Sequence, residues 1–240
     1  MSSARAHGLN IGPPAGPMVS PAFLRASAIS WMVSAATTLG LIFLPRFVAP
    51  VSDFESHVRL VHDPAYLLRL AIGIVHPLIV LVGALGVLVL RAPHAFGSAT
   101  LGFAFYLLWA SVESVQQCLT LVALNWAWRA TYLVTTDATT RTILRSHIDA
   151  FDALWDGLFF FLLLAFILAN ILFAAATRGG KGLQRIVSIF FVLGAGLGVT
   201  SLLTSFGGGR IAPGVMGVLY PAIQPAGRFL TGLWVLRARR

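Results

Sequence analysis

Six apolar runs, each long enough to cross the hydrocarbon core of a bilayer as a helix, divide the chain, with polar connections between them. They cover about residues 26–44, 67–90, 98–126, 150–176, 183–206 and 212–236. A helix rises about 1.5 Å per residue and the hydrocarbon core is about 30 Å thick, so about 20 apolar residues make one crossing. The lengths suit helices and not the shorter strands of a barrel. An all-α, polytopic transmembrane helix bundle of about six spans is therefore predicted. With 58% hydrophobic and 10% charged residues, and a mean hydropathy of +0.85, the chain cannot cover itself with polar surface in water.

Six spans and the short connections between them leave no room in 240 residues for a large soluble domain. Residues 22–240 are expected to form one transmembrane domain. Residues 1–21, with Gly8, Gly12, Pro13, Pro14, Gly16 and Pro17, read as a flexible cytoplasmic tail. The first run leads into Pro45 and Arg46, not into a small-residue cleavage site, so it reads as a retained helix. Cys118 is the only cysteine and excludes an intrachain disulfide or a cysteine-based zinc cluster; inside its apolar run it is expected to fill space.

The formal charge of +9 sits in the connections, not on a water-exposed folded face, so the expected partner is the lipid bilayer and no nucleic acid. Arg5, Arg25, Arg91, Arg178, Lys181, Arg185, Arg237, Arg239 and Arg240 fall on one face with no acidic residue. The other face mixes Arg46, Arg59, Arg69, Arg129, Arg141, Arg145 and Arg210 with Asp53, Glu55, Asp63, Asp137 and Asp149. The positive-inside rule makes the acid-free face cytoplasmic and, with six spans, places both termini there. The connections over 91–97 and 177–182 are short and rich in turn formers. Those over 45–66 and 127–149 are long enough for short cap segments, with Trp126, Trp128 and Tyr132 at the depth of an aromatic belt.

An ionisable group at mid-membrane costs from roughly 2.5 to well over 10 kcal/mol unless it finds a partner or a wet cavity. Glu113 stands near the centre of the third span, with Trp109, Gln116, Gln117 and Thr120 at helical spacings around it. Asp149, Asp152 and Asp156 share a face of the fourth, one turn after Arg145. His76, before Pro77, lies on the stripe of Arg69 and Gly73, and Gln224 and Arg228 enter the sixth span beside Pro221 and Pro225. Counting helical rise gathers His76, Trp109, Glu113, Gln117, Asp152, Asp156 and Gln224 into one candidate ligand-binding pocket opening outward. Arg228 lies deeper, suited to an ion pair with Glu113 or to snorkelling. The second, third, fourth and sixth spans should form the inside of the bundle, and the first and fifth should face lipid or serve packing.

Three uses are open to these groups: locking helices together by interhelical hydrogen bonds, binding or sensing a small amphipathic or lipid-like molecule, or acid/base catalysis on a lipid-like substrate. In the last, Glu113 and Asp156 would be the proton donor and acceptor, with His76 and Gln117 orienting the substrate. A proton-coupled transporter would need a path past Arg228, although the two halves of the chain show no matching broken helices. His62, His76 and His147 with Asp63, Asp149 and Asp152 supply ligating atoms at no fixed metal-binding spacing, so no metal is expected. Gly207-Gly-Gly-Arg210 lacks the lysine and hydroxyl of a phosphate loop, and no motif implies a cofactor. Gly194, Gly196 and Gly198 form a small-residue stripe of the kind that lets helices approach closely.

Tyr66-Leu-Leu-Arg69 at the second span, Asp152-Ala-Leu-Trp-Asp-Gly-Leu-Phe-Phe160 at the fourth and Gly194-Ala-Gly-Leu-Gly198 in the fifth resemble a bacterial family of six-helix membrane proteins known only as a domain of unknown function. The resemblance runs from about Ala22 to the C-terminus. It implies a six-helix fold and a bacterial plasma-membrane location, and no activity. The Glu113-Ser-Val-Gln-Gln117 segment is not part of it.

Overall fold

A computed structural model describes residues 19–208 and 213–238. The tail expected over 1–21 lies, up to residue 18, outside the described residues, as does the Arg210 end of the glycine turn. All the regular structure among the described residues is helical. Helix α1 is Pro21–Phe43, followed by a 3-10 turn at Leu44–Phe47. Then come α2, Phe54–Arg59, and a second 3-10 turn, Leu60–His62. Helix α3, Pro64–Leu119, passes into a π-helical stretch, Thr120–Arg129, and on into α4, Ala130–Val134. Helices α5, Ala138–Thr177, α6, Leu183–Phe206, and α7, Pro213–Arg237, complete the bundle.

Helix starts follow local chemistry. Ser20 Oγ accepts from Phe23 N at 3.2 Å ahead of Pro21, whose missing N–H needs no partner at a first helical position. Three of the acids read as outer-face charges are caps. Asp53 closes a capping box with Ser56, Asp63 accepts from Tyr66 N and Ala49 N, both at 2.9 Å, and Asp137 accepts from Thr140 N at 2.7 Å. These hydrogen bonds hold all three carboxyls below the usual aspartate range.

The short loop expected over 91–97 is replaced by helix on both sides of a single non-helical residue, Ala95, at φ −152° and ψ 53°. Pro93, with no backbone N–H, weakens the ladder just before the break. The two arms of α3 fold back on each other. Tyr66 meets Arg129, Gly73 meets Gln117 and the rings of His76 and Trp109 stand 6.1 Å apart, pairs that step away from Ala95 on both sides. One 56-residue helix thus supplies the second and third of the expected spans.

The long helices close a ring: α1 packs on α7 and α3, α3 on α5, α5 on α6, and α6 on α7. Its core is aromatic, with Trp31, Tyr106, Phe173 and Phe191 in mutual edge or tilted contact. At one end, Ser27, Gly86 and Val235 meet, and Arg91 Nε donates to Ala176 O at 2.7 Å. At the other end a separate cluster of Val58, Leu124, Tyr132, Leu144, Ile148 and Phe151 forms a cap from the two longer connections.

Outside the ring, Val75, Leu78, Val82, Leu101, Val115 and Val192 are exposed, an apolar surface suited to lipid and not to water. Among the described residues four helices are long and apolar enough to cross a membrane: Pro21–Phe47, Pro64–Val134, Ala138–Thr177 and Leu183–Phe206. The second of these, 71 residues long, is the folded-back element. Cys118, expected to fill space, is exposed on α3.

Candidate functional site

Just inside the cap the helix ring forms a partly open cavity of about 420 Å³, inside the range of about 300–1,000 Å³ typical of small-molecule sites. Its position follows from where its lining residues sit on their helices. Thr38, Leu41 and Ile42 close α1, Arg69 is in the second turn of α3 and Ser201 is near the end of α6, all towards the cap. His76, Trp109, Phe166 and Arg228 reach it from mid-bundle.

Four of the residues expected to bind a ligand meet here: His76, Trp109, Glu113 and Gln117. His76 is buried, and its Nδ1 lies 2.7 Å from Thr37 Oγ1 on α1. Gln117 packs over Gly73, where a Cβ would come within 3.0 Å of its Cδ; a glycine there is what lets the two arms of α3 close. Gln116 Nε2 donates to Trp155 O at 3.0 Å and ties α3 to α5 at the cavity wall. Glu113 keeps part of its side chain open to the cavity.

Three expected members do not join it. Asp152 and Asp156 are exposed on α5 and absent from the lining. Trp155, Phe159, Leu162 and Phe166 repeat at three- and four-residue spacings and turn to the cavity. Asp156 is one residue on from Trp155 and so is rotated about 100° away. Asp152 lies a turn nearer the cap, where its charge and that of Asp149 act on His57. Gln224 lines a separate space of about 20 Å³ behind Arg228, with Tyr106 and Asn170, whose Oη and Oδ1 are 3.2 Å apart.

Neither use expected of Arg228 is seen. It is 8% exposed, too deep to snorkel, and among the described residues the ion pair found is Arg145–Asp149 at 4.0 Å, not Arg228–Glu113. Its guanidinium carbon stands 5.9 Å from the centre of the Trp109 ring, a cation–π placement. Arg69 and Tyr220 also line the cavity. The expected division of spans changes too, because α1 and α6, read as lipid-facing or packing helices, both contribute wall. Arg69 could have been found from the sequence, since it shares the helical stripe of Gly73 and His76. The wall residues of α1 could not, because Leu41 and Ile42 look like any other apolar span residues.

No protein-family model, curated protein or solved structure matches this chain. The chemistry available is therefore that of the cavity itself. Two guanidinium groups, one carboxylate, an imidazole and amides face an apolar wall from α5 and α1. Such a lining can hold a molecule with one polar end and one apolar end. The carboxylate pair that acid/base catalysis would use is not assembled, because Glu113 is on the cavity and Asp156 is outside it.

Proposed function

We propose that this chain is a multi-pass membrane protein whose intramembrane cavity binds or senses a small amphipathic or lipid-like molecule. The observation that carries this reading is the composition of one cavity's lining. Arg69, His76, Glu113 and Arg228 stand along a cavity otherwise bounded by Trp155, Phe159, Leu162 and Phe166. Groups that served only to lock helices would be paired across a filled core; here they border a space large enough for a ligand.

The location proposed is the bacterial plasma membrane, with both termini cytoplasmic and the cavity in the outer half of the bundle. The acid-free basic face supports this, as does the gathering of Arg91 and the ends of α1, α5 and α7 at the end of the bundle opposite the cap.

The test is to purify the full chain in a mild detergent from its native membrane and identify co-purifying amphiphiles by mass spectrometry. A ligand is expected with the wild-type chain and with Asp156→Ala, whose carboxylate is outside the cavity. It should be lost with Ser201→Trp, which puts an indole into the cavity. No ligand, or one indifferent to Ser201→Trp, would sink the reading.

A further inference from the structure

The cavity's charge is unbalanced, and this narrows what can occupy it. Arg228 is over nine-tenths buried, and its Nε and Nη1 have no hydrogen-bond partner among the described residues. Arg69 Nε is buried without a partner in the same way. Both side chains line the 420 Å³ cavity, and Glu113 is the one acid among its lining residues. Guanidinium stays protonated in proteins, so with Glu113 ionised the lining carries a formal charge of +1. One carboxylate cannot balance two guanidinium groups, and buried donors left without partners are destabilising, a penalty that an incoming anion offsets. Arginine is also the side chain whose donors best fit a carboxylate or phosphate. From α5 the lining takes Trp155, Phe159, Leu162 and Phe166, a wall that is apolar but for the Trp155 indole N–H.

We infer that the cavity selects a monoanionic amphiphile, its acidic head group seated between Arg228 and Arg69 and its hydrocarbon chain along the α5 wall. The inference rests on the ligand-binding reading and adds the sign of the head group to it. Glu113 has a definite part. It reduces the site's charge to +1, so a monoanion leaves the filled cavity neutral and a dianion does not. Removing that carboxylate therefore strengthens acid binding, the opposite of removing either arginine.

Native mass spectrometry of the full chain in a non-ionic detergent at about pH 8, where a fatty acid is ionised, tests this with equal concentrations of dodecanoate and dodecanol. Wild type is expected to prefer the acid by about tenfold or more. That ratio should fall towards unity in Arg228→Gln and in Arg69→Gln, and rise in Glu113→Gln. Arg69→Gln and Glu113→Gln keep the test decisive should Arg228→Gln fail to fold. Equal binding of acid and alcohol by wild type, or an acid preference that survives in both arginine variants, overturns the inference while the ligand-binding reading stands. Acetate competing as well as dodecanoate would overturn the amphiphile part, leaving an anion site. Binding of neither twelve-carbon probe would count against both readings.

Discussion

Arg129 is a second buried guanidinium, and its surroundings show how this fold treats such a charge when it is structural. It is 1% exposed; Nη1 donates to Tyr66 Oη at 3.0 Å and to Asn125 Oδ1 at 2.9 Å, and Nη2 meets His57 Nε2. Arg228 has no comparable set. Truncating Arg129→Ala leaves those partners unsatisfied and is expected to destabilise the protein by about 3 kcal/mol. Arg228→Met, which removes a buried charge whose Nε and Nη1 lack hydrogen-bond partners among the described residues, should leave the unfolding temperature of the ligand-free protein unchanged or raised. Thermal unfolding of both variants in detergent checks the contrast; equal losses would mean that Arg228 is structural as well. His57 adds a pH dependence. Burial first, and then the neighbouring Arg129 charge, hold its pKa below the usual 6.5, against the opposing pull of Asp152 and Asp149. The unfolded chain then binds a proton more readily than the folded one, so stability falls as pH drops from about 6.5 towards the folded pKa and levels off below it. His57→Gln should flatten that part of the stability profile, and an unchanged slope would remove His57 as its origin. At this scale the sequence was informative about which groups are misplaced in lipid, and His76, Trp109, Glu113 and Gln117 do share one cavity. It was uninformative about rotation. Counting rise put Asp152 and Asp156 at the right depth, but their angle about the α5 axis turns them outward.

Among the elements, the glycine stripe of α6 separates what spacing can show from what it cannot. A Cβ on Gly194 would meet Asn170 Oδ1 at 2.9 Å and one on Gly198 would meet Ile167 Cγ1 at 2.7 Å, whereas Gly196 has nothing within 4 Å. The four-residue repeat of Gly194 and Gly198 is thus the close contact with α5, and Gly196 merely lies between them. Gly198→Ala is expected to destabilise by about 1–3 kcal/mol through overpacking. Gly196→Ala should be neutral or slightly stabilising, since alanine is the better helix former. Detergent unfolding curves of the pair are the check, and equal losses would remove α5–α6 approach as the reason for the stripe. The hairpin of α3 was only half legible. Turn formers over 91–97 marked the reversal, but the chain makes it with one non-helical residue and stays helical on either side. Neither propensity nor hydropathy encodes the π-helical turns at Thr120–Arg129, where Asn125 Nδ2 donates to Thr120 O at 2.6 Å and Arg129 is carried into the cap. There Arg129 also reaches Tyr66 and His57, partners from distant parts of the chain that no local window contains.

For the whole molecule, hydropathy was enough to reveal an all-α bundle, because a helix that crosses lipid must be apolar over its full length whatever its neighbours do. The cavity was legible only through its misplaced polar groups; its apolar wall was not, since that depends on how five helices close into a ring. Sidedness rests on charge alone, and the fold sharpens how to test it. The cap end carries Ser52 in an exposed connection between the first 3-10 turn and α2, and Lys181 lies between α5 and α6 at the opposite end, close in sequence to the Ala176 carbonyl that accepts from Arg91. Cys118 can be replaced by alanine with little loss, because it is exposed and makes no disulfide. On that background Ser52→Cys is expected to react with a membrane-impermeant maleimide added to intact cells. Lys181→Cys should react only after the membrane is opened, because the proposed orientation puts the basic, acid-free end inside. The reverse pattern would invert the molecule and turn the cavity towards the cytoplasm. An anionic amphiphile would then enter from the inner leaflet, and the two arginines would face the cell's own lipid pool and not what arrives from outside.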